Sequence, residues 1–186
     1  MTHPVRQFAF AACLLFSISA QADPRGEQSF ETCSMVTSEY ITVLQLINRG
    51  FSGEQLTRNL PGLDRQGAKR VRLLEAAARE DGLVDTFSAV NAEFARCSQR
   101  VYQRGGKPKP DSREGHFYFC AGENKLRYEI LVAATLDADI NDVLAQVPTG
   151  RHRIARAIFR LQANKGTLAA FDAIGDELKY CLNGTS

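Results

Sequence analysis

Histidine is nearly missing from this chain of 186 residues: there are three, and only His116 and His152 lie beyond the first twenty-two. A serine or cysteine nucleophile needs a base held by an orienting group. His152 sits among arginines, whose charge opposes protonation, with no acidic partner nearby in sequence, and His116 precedes an aromatic run and has no assignable partner. There is no HExxH pair and no glycine-rich phosphate loop. No two cysteines stand in CxxC spacing, which argues against a zinc site or a thiol redox centre. Neither a metal nor a cofactor is expected, and a catalytic set is not recognisable. Paired carboxylates stay open, because spatial pairs do not show in a linear sequence.

Other absences narrow the class further. Past the first twenty residues the longest apolar run is Ile130–Leu136, seven residues, too short to span a bilayer. No stretch alternates with β-branched residues, so a sheet is not expected. Lys and Arg total 23 against 21 Asp and Glu, and a balance so close to neutral gives no global field to attract nucleic acid or a membrane surface.

What is present begins with the N-terminus. Arg6 precedes an uncharged, largely apolar run from Phe8 to Ala20, and Ala20-Gln21-Ala22 follows. This is the anatomy of a secretory signal peptide, residues 1–22, with cleavage near Ala22. A lipoprotein reading at Cys13 fits less well, because the apolar run continues past it. Removing Arg6 leaves 22 basic against 21 acidic residues, and four cysteines: Cys33, Cys97, Cys120 and Cys181. In an exported chain, periplasmic or secreted, four thiols are expected to pair as disulfides.

The chain also repeats itself. "GLVDTFSAVNAEFARC" (82–97) returns as "GTLAAFDAIGDELKYC" (166–181), with five of sixteen positions identical. At an offset of 87, Phe30 and Cys33 fall on Phe117 and Cys120, Ser52 on Asp139, and Pro61 on Pro148. After a change to 84, Gly82, Phe87, Glu93 and Cys97 fall on Gly166, Phe171, Glu177 and Cys181. Internal self-similarity of this kind predicts a tandem duplication: a helical repeat at 23–102, a linker at 103–115 rich in Gly, Pro and charge, and a second repeat at 116–186.

Each repeat reads as four helices. In the first, apolar residues at helical spacing mark about Glu31–Asn48, Ser52 caps a short helix over Gly53–Leu60 with Gln55 completing a capping box, and further helices cover about Gln66–Glu80 and Gly82 onward. In the second they cover roughly Ala121–Leu136, Ile140–Val147, Arg151–Asn164 and Thr167–Cys181. The fold class is therefore all-α, two tandem four-helix repeats. In each, one cysteine lies near the start of the first helix and one near the end of the fourth. Antiparallel packing of those helices brings the ends together and predicts Cys33–Cys97 and Cys120–Cys181 among the three formal connectivities. Closing a loop of about 60 residues is worth about 4 kcal/mol to each unit in the chain-entropy model, which matters for a unit with so small a core.

Three further features invite a functional reading. Asp137-Ala138-Asp139-Ile140-Asn141 matches the first ligands of a calcium loop, but Asp142 and Pro148 stand where that loop needs Gly and Glu; helix capping by Asp139 is the better account. Arg153, Arg156 and Arg160 form a basic stripe at i, i+3 and i+7, with Lys69 and Arg72 at the corresponding places in the first repeat. A stripe like this is ordinarily a solvated helix face, and it would also suit an acidic protein surface, a phosphate or a lipid headgroup. The linker lysines Lys107 and Lys109 and the aromatics Tyr118 and Phe119 complete the set of candidate partner contacts.

The pattern F-x-x-C, an amphipathic helix, "RGFSGEQL" and a second F-x-x-C resembles that of small two-cysteine, all-helical periplasmic proteins of bacteria, a group that includes immunity proteins against type VI secretion amidases. The resemblance implies a small periplasmic protein, an immunity role being known for some members, and transfers no functional residue; the binding role rests on the doubly disulfide-tied scaffold without a recognisable catalytic set. The sequence thus predicts an exported, non-enzymatic module that binds a protein. An envelope stress chaperone and a hydrolase using carboxylates on envelope material are the alternatives.

Overall fold

A computed structural model describes residues 28–184. The predicted signal peptide and Cys13 lie outside the described residues. Among those described, the chain forms eight α-helices and no strand. They are α1 (Phe30–Asn48), α2 (Gly53–Asn59), α3 (Arg65–Glu80), α4 (Leu83–Gly105), α5 (Arg113–Thr135), α6 (Ile140–Gln146), α7 (His152–Lys165) and α8 (Thr167–Asn183), with a single 3-10 turn at Thr149–Arg151 before α7.

The helix starts follow from side-chain chemistry. Ser52 and Gln55 exchange hydrogen bonds with each other's backbone, 2.8 and 3.2 Å, and form the capping box read from the sequence. Asp139 accepts from the Asn141 N–H at 2.7 Å and caps α6, so its carboxylate serves a helix end. α4 and α8 open instead on Gly82 and Gly166, at φ +90° and +83°. Each reverses the chain directly out of the preceding helix in a conformation that L side chains rarely adopt.

One boundary differs from expectation. α4 runs on to Gly105 and α5 begins at Arg113, well before Ala121, so only 106–112 of the expected linker is non-helical. The Gly-Pro composition marks a break without locating the caps. Ser112 supplies one, accepting from the Gly115 N–H at 3.0 Å and donating to the Lys109 carbonyl at 2.6 Å. A Cβ on Gly115 would collide with the backbone of Lys109 and Pro110, so the connection is folded tightly onto the first turn of α5.

α1, α4, α5 and α8 form the centre, each packed on the other three. The pairs α1–α4, α1–α3, α3–α4 and α2–α3 are matched by α5–α8, α5–α7, α7–α8 and α6–α7. Cys33–Cys97 ties α1 to α4 with Cα atoms 5.9 Å apart, and Cys120–Cys181 ties α5 to α8 at 5.8 Å, the pairing expected from the helix ends.

One apolar core joins the first four helices to the last four. Ile41, Leu44, Phe87 and Phe94 pack in the same cluster as Ile130, Leu131, Phe171 and Leu178. At its middle the rings of Phe87 and Phe171 stack at 5.3 Å. A smaller cluster of Val43, Leu56 and Val71 fixes α2 and α3. Polar contacts set the register across the halves. Asn124 donates to Asn91 at 2.9 Å in the buried α4–α5 seam, and buried Gln45 donates to the Asp172 carbonyl and to Asp176 while Lys179 donates back to it. A Cβ on Gly175 would meet Ile41 and Gln45, so glycine there lets α8 approach α1 closely. Glu114 of α5 accepts from the Phe30 N–H at 2.8 Å and caps α1 from the other half.

Candidate binding groove

α4 and α5 run antiparallel from Ser88–Tyr128, whose hydroxyls lie 2.8 Å apart, through Asn91–Asn124 to Tyr102–Tyr118, whose rings are 6.1 Å apart. Between the last two contacts the helices carry small side chains and a groove of about 570 Å³ opens. Ala95, Ser98, Gln99 and Tyr102 line it from α4, and Tyr118, Ala121, Gly122 and Lys125 from α5. Each set is spaced i, i+3, i+4, i+7, one face of a helix. Phe30 of α1 closes one side. A Cβ on Gly122 would meet nothing within 4 Å, so the groove is open there.

Two aromatic rings rim this space in contact with solvent: Phe119, 55% exposed, and Tyr102, 46% exposed. Tyr118 is half-buried, with the Phe30 ring edge-on at 5.0 Å. Its ring is therefore held in place, and Phe119 is the freer of the two aromatics singled out from the sequence. Ser98 Oγ lies in the wall without a hydrogen-bond partner in the protein. The rim charges already have partners. Arg96 donates to Glu93 at 2.9 Å, Lys125 pairs with Glu129, and Glu123 receives Arg127 and Arg151 at 2.7 and 2.6 Å. The Glu93 carboxyl is held below its ordinary 4.5, chiefly by the hydrogen bond from Arg100, against the opposing effect of burial and with Arg96 assisting.

The remaining candidates lie elsewhere. Arg153, Arg156 and Arg160 are exposed along α7, which packs on α5, α6 and α8; Lys69 and Arg72 are exposed on α3, which packs on α1, α2 and α4. Lys107 and Lys109 are exposed in the α4–α5 connection. None of these seven lines the groove. The histidines serve local contacts: His152 Nε2 lies 3.0 Å from the Val147 carbonyl, and His116 Nε2 lies 3.9 Å from Cys120 Sγ. No cluster of three or more His, Cys, Asp or Glu able to hold a metal ion occurs among the described residues, and no helix there is long and apolar enough to cross a membrane.

Tyr102, Ser98 and Gly122 were not apparent as site residues in the sequence. The signal was the small-residue face of α4 and α5, invisible until the two faces are known to meet. Comparison with protein-family models, with curated proteins and with solved structures finds no match.

Proposed function

We propose that this chain is an exported, non-enzymatic helical module that binds a protein partner in the α4–α5 groove. The observation carrying the reading is the pair of exposed rings, Tyr102 and Phe119, on the rim of an open groove whose rim charges are already paired. Tyrosine and phenylalanine are enriched in interfaces because they offer large, rigid contact area. Two disulfides and the apolar leader favour an oxidising, extracytoplasmic setting. An immunity or inhibitor role in the bacterial envelope suits a rigid, disulfide-tied scaffold of this kind.

The proposal includes the origin of the scaffold as a tandem duplication. The matched helix pairs support it, as does the stacking of Phe87 on Phe171, the two residues that the sequence offset of 84 places in register.

Capture from envelope and neighbouring-cell extracts tests the binding role. The oxidised protein is compared with Tyr102→Ala/Phe119→Ala and with Arg153→Glu/Arg156→Glu. The expected result is a protein retained by the parent and by the arginine variant and lost from the aromatic variant. Loss of an interfacial anchor of this kind weakens binding on the order of 30-fold. Retention by the aromatic variant, or loss only on arginine reversal, overturns the groove assignment.

A further inference from the structure

The α4–α5 groove carries on one face both a projecting ring and a recess able to receive one. Phe119, 55% exposed, and Gly122, also exposed, both line it and lie one helical turn apart on α5. A Cβ on Gly122 would meet nothing within 4 Å, so the recess beside the ring is open. A surface with a knob at one position and a hole three residues on is complementary to itself. A two-fold axis crossing α5 midway between them lays Phe119 of each copy over Gly122 of the other. That reciprocal contact is what an isologous interface requires.

Charge supports the same pairing. Close to a two-fold axis each group faces its own copy, and like charges set opposite one another are costly. Beside the middle of this groove the charges are already neutralised within the chain: Arg96 by Glu93, Lys125 by Glu129, and Glu123 by Arg127 and Arg151. Farther out the face is bipolar. Ser112 lies seven residues before Phe119 on the same stripe of α5, and its hydroxyl donates to the Lys109 carbonyl, so exposed Lys107 and Lys109 stand at that end. Exposed Asp85 stands at the other end, on the stripe of α4 that carries Ser88, Ala95, Gln99 and Tyr102. The antiparallel pairing of Ser88 with Tyr128 sets Asp85 level with Leu131. At 1.5 Å per residue both ends lie roughly 15 Å from the midpoint between Phe119 and Gly122. Two copies meeting antiparallel about that midpoint therefore set the lysines of one against Asp85 of the other. We infer that the protein forms a two-fold dimer through the α4–α5 groove, with Phe119 of each copy seated at Gly122 of the other.

The inference rests on this groove being a protein-binding surface, as proposed above, and adds its regulation: a foreign partner taking the groove must displace the second copy. Sedimentation equilibrium of the oxidised protein from about 1 to about 300 µM tests it, a range that reaches weak as well as tight dimers. The parent should dimerise and form nothing larger, because an isologous contact closes on itself. Phe119→Ala removes the knob and Gly122→Phe fills the recess. Both positions are exposed, so helical circular dichroism and both disulfides should stay unchanged while each variant dimerises at least about tenfold more weakly. Mixed in equal amounts, the two variants should form a heterodimer of near-parental affinity. The introduced ring then faces the truncated position, and the remaining Phe119 faces the remaining Gly122. Asp85→Lys should weaken dimerisation at low salt. A parent monomeric throughout the range, open-ended association, parental affinity in Phe119→Ala or in Asp85→Lys, or no heterodimer on mixing each overturns the inference. A monomeric parent that still captures a foreign protein through Tyr102 and Phe119 refutes the dimer alone. A dimer that captures nothing refutes the foreign partner alone.

Discussion

Replacing Phe87 by alanine probes whether the two halves of the molecule are one cooperative unit. The ring is fully buried and stacks on Phe171 at 5.3 Å, inside the apolar cluster that both halves share. Truncating a buried phenylalanine removes transfer free energy and leaves a cavity, about 3–5 kcal/mol together. For a domain of this size each kcal/mol lowers Tm by about 2–4 °C, so the expected shift is about 6–20 °C. The chain has no tryptophan, which allows local reporters. Phe51→Trp and Phe119→Trp, at half-exposed phenylalanines in the first and second halves, give one fluorescent site each. In urea titrations both reporters should share a single midpoint, and Phe87→Ala should lower both equally. A shift confined to the Phe51→Trp reporter, with the Phe119→Trp midpoint unmoved, would refute the single shared core.

Removing either disulfide as a cysteine-to-alanine pair should cost about 4 kcal/mol in the chain-entropy model, and nearly the same for both, since the sequence separations are 64 and 61; urea unfolding at 25 °C measures it, and a loss below about 1 kcal/mol would contradict the model. Acid should weaken the fold through the α1–α8 seam. The Asp176 carboxyl is held below its ordinary 3.8, first by the hydrogen bond from Lys179, with Gln45 assisting and burial opposing. A carboxyl whose folded value is lowered contributes stability that is present above 3.8 and lost as pH falls through the folded value. Urea midpoints measured from pH 6 to pH 2 should therefore fall less steeply for Asp176→Asn than for the parent, and identical acid limbs would remove this residue from the account.

The residues differ in how openly they announced their roles. Ser52 with Gln55, Asp139, and the glycines at 82 and 166 act within a few residues of themselves, so spacing alone exposed the helix starts they set. The cysteine pairing was legible for a related reason: each partner lies near the end of a helix, and antiparallel packing leaves those ends adjacent. The start of α5 was misplaced because Ser112 caps it inside a stretch whose composition reads as loop.

Contacts between the halves had no such local signature. Gln45, Asn91 and Asn124 look like surface residues in the sequence and are buried because each finds a polar partner on a helix far away in the chain. The same holds for the α4–α5 groove. Ala95, Ser98, Ala121 and Gly122 are unremarkable as letters, and they make a groove only because α4 and α5 turn those faces toward each other and leave the space unfilled. The sequence by itself determined the helices, most of their ends other than those flanking the α4–α5 connection, and the bridges, since hydrogen bonding and hydrophobic periodicity along one chain segment are enough for those. Only the tertiary structure decided which helix faces meet across the two halves and where apolar surface stays open, because those depend on side chains brought together from distant positions and on the gaps their shapes leave.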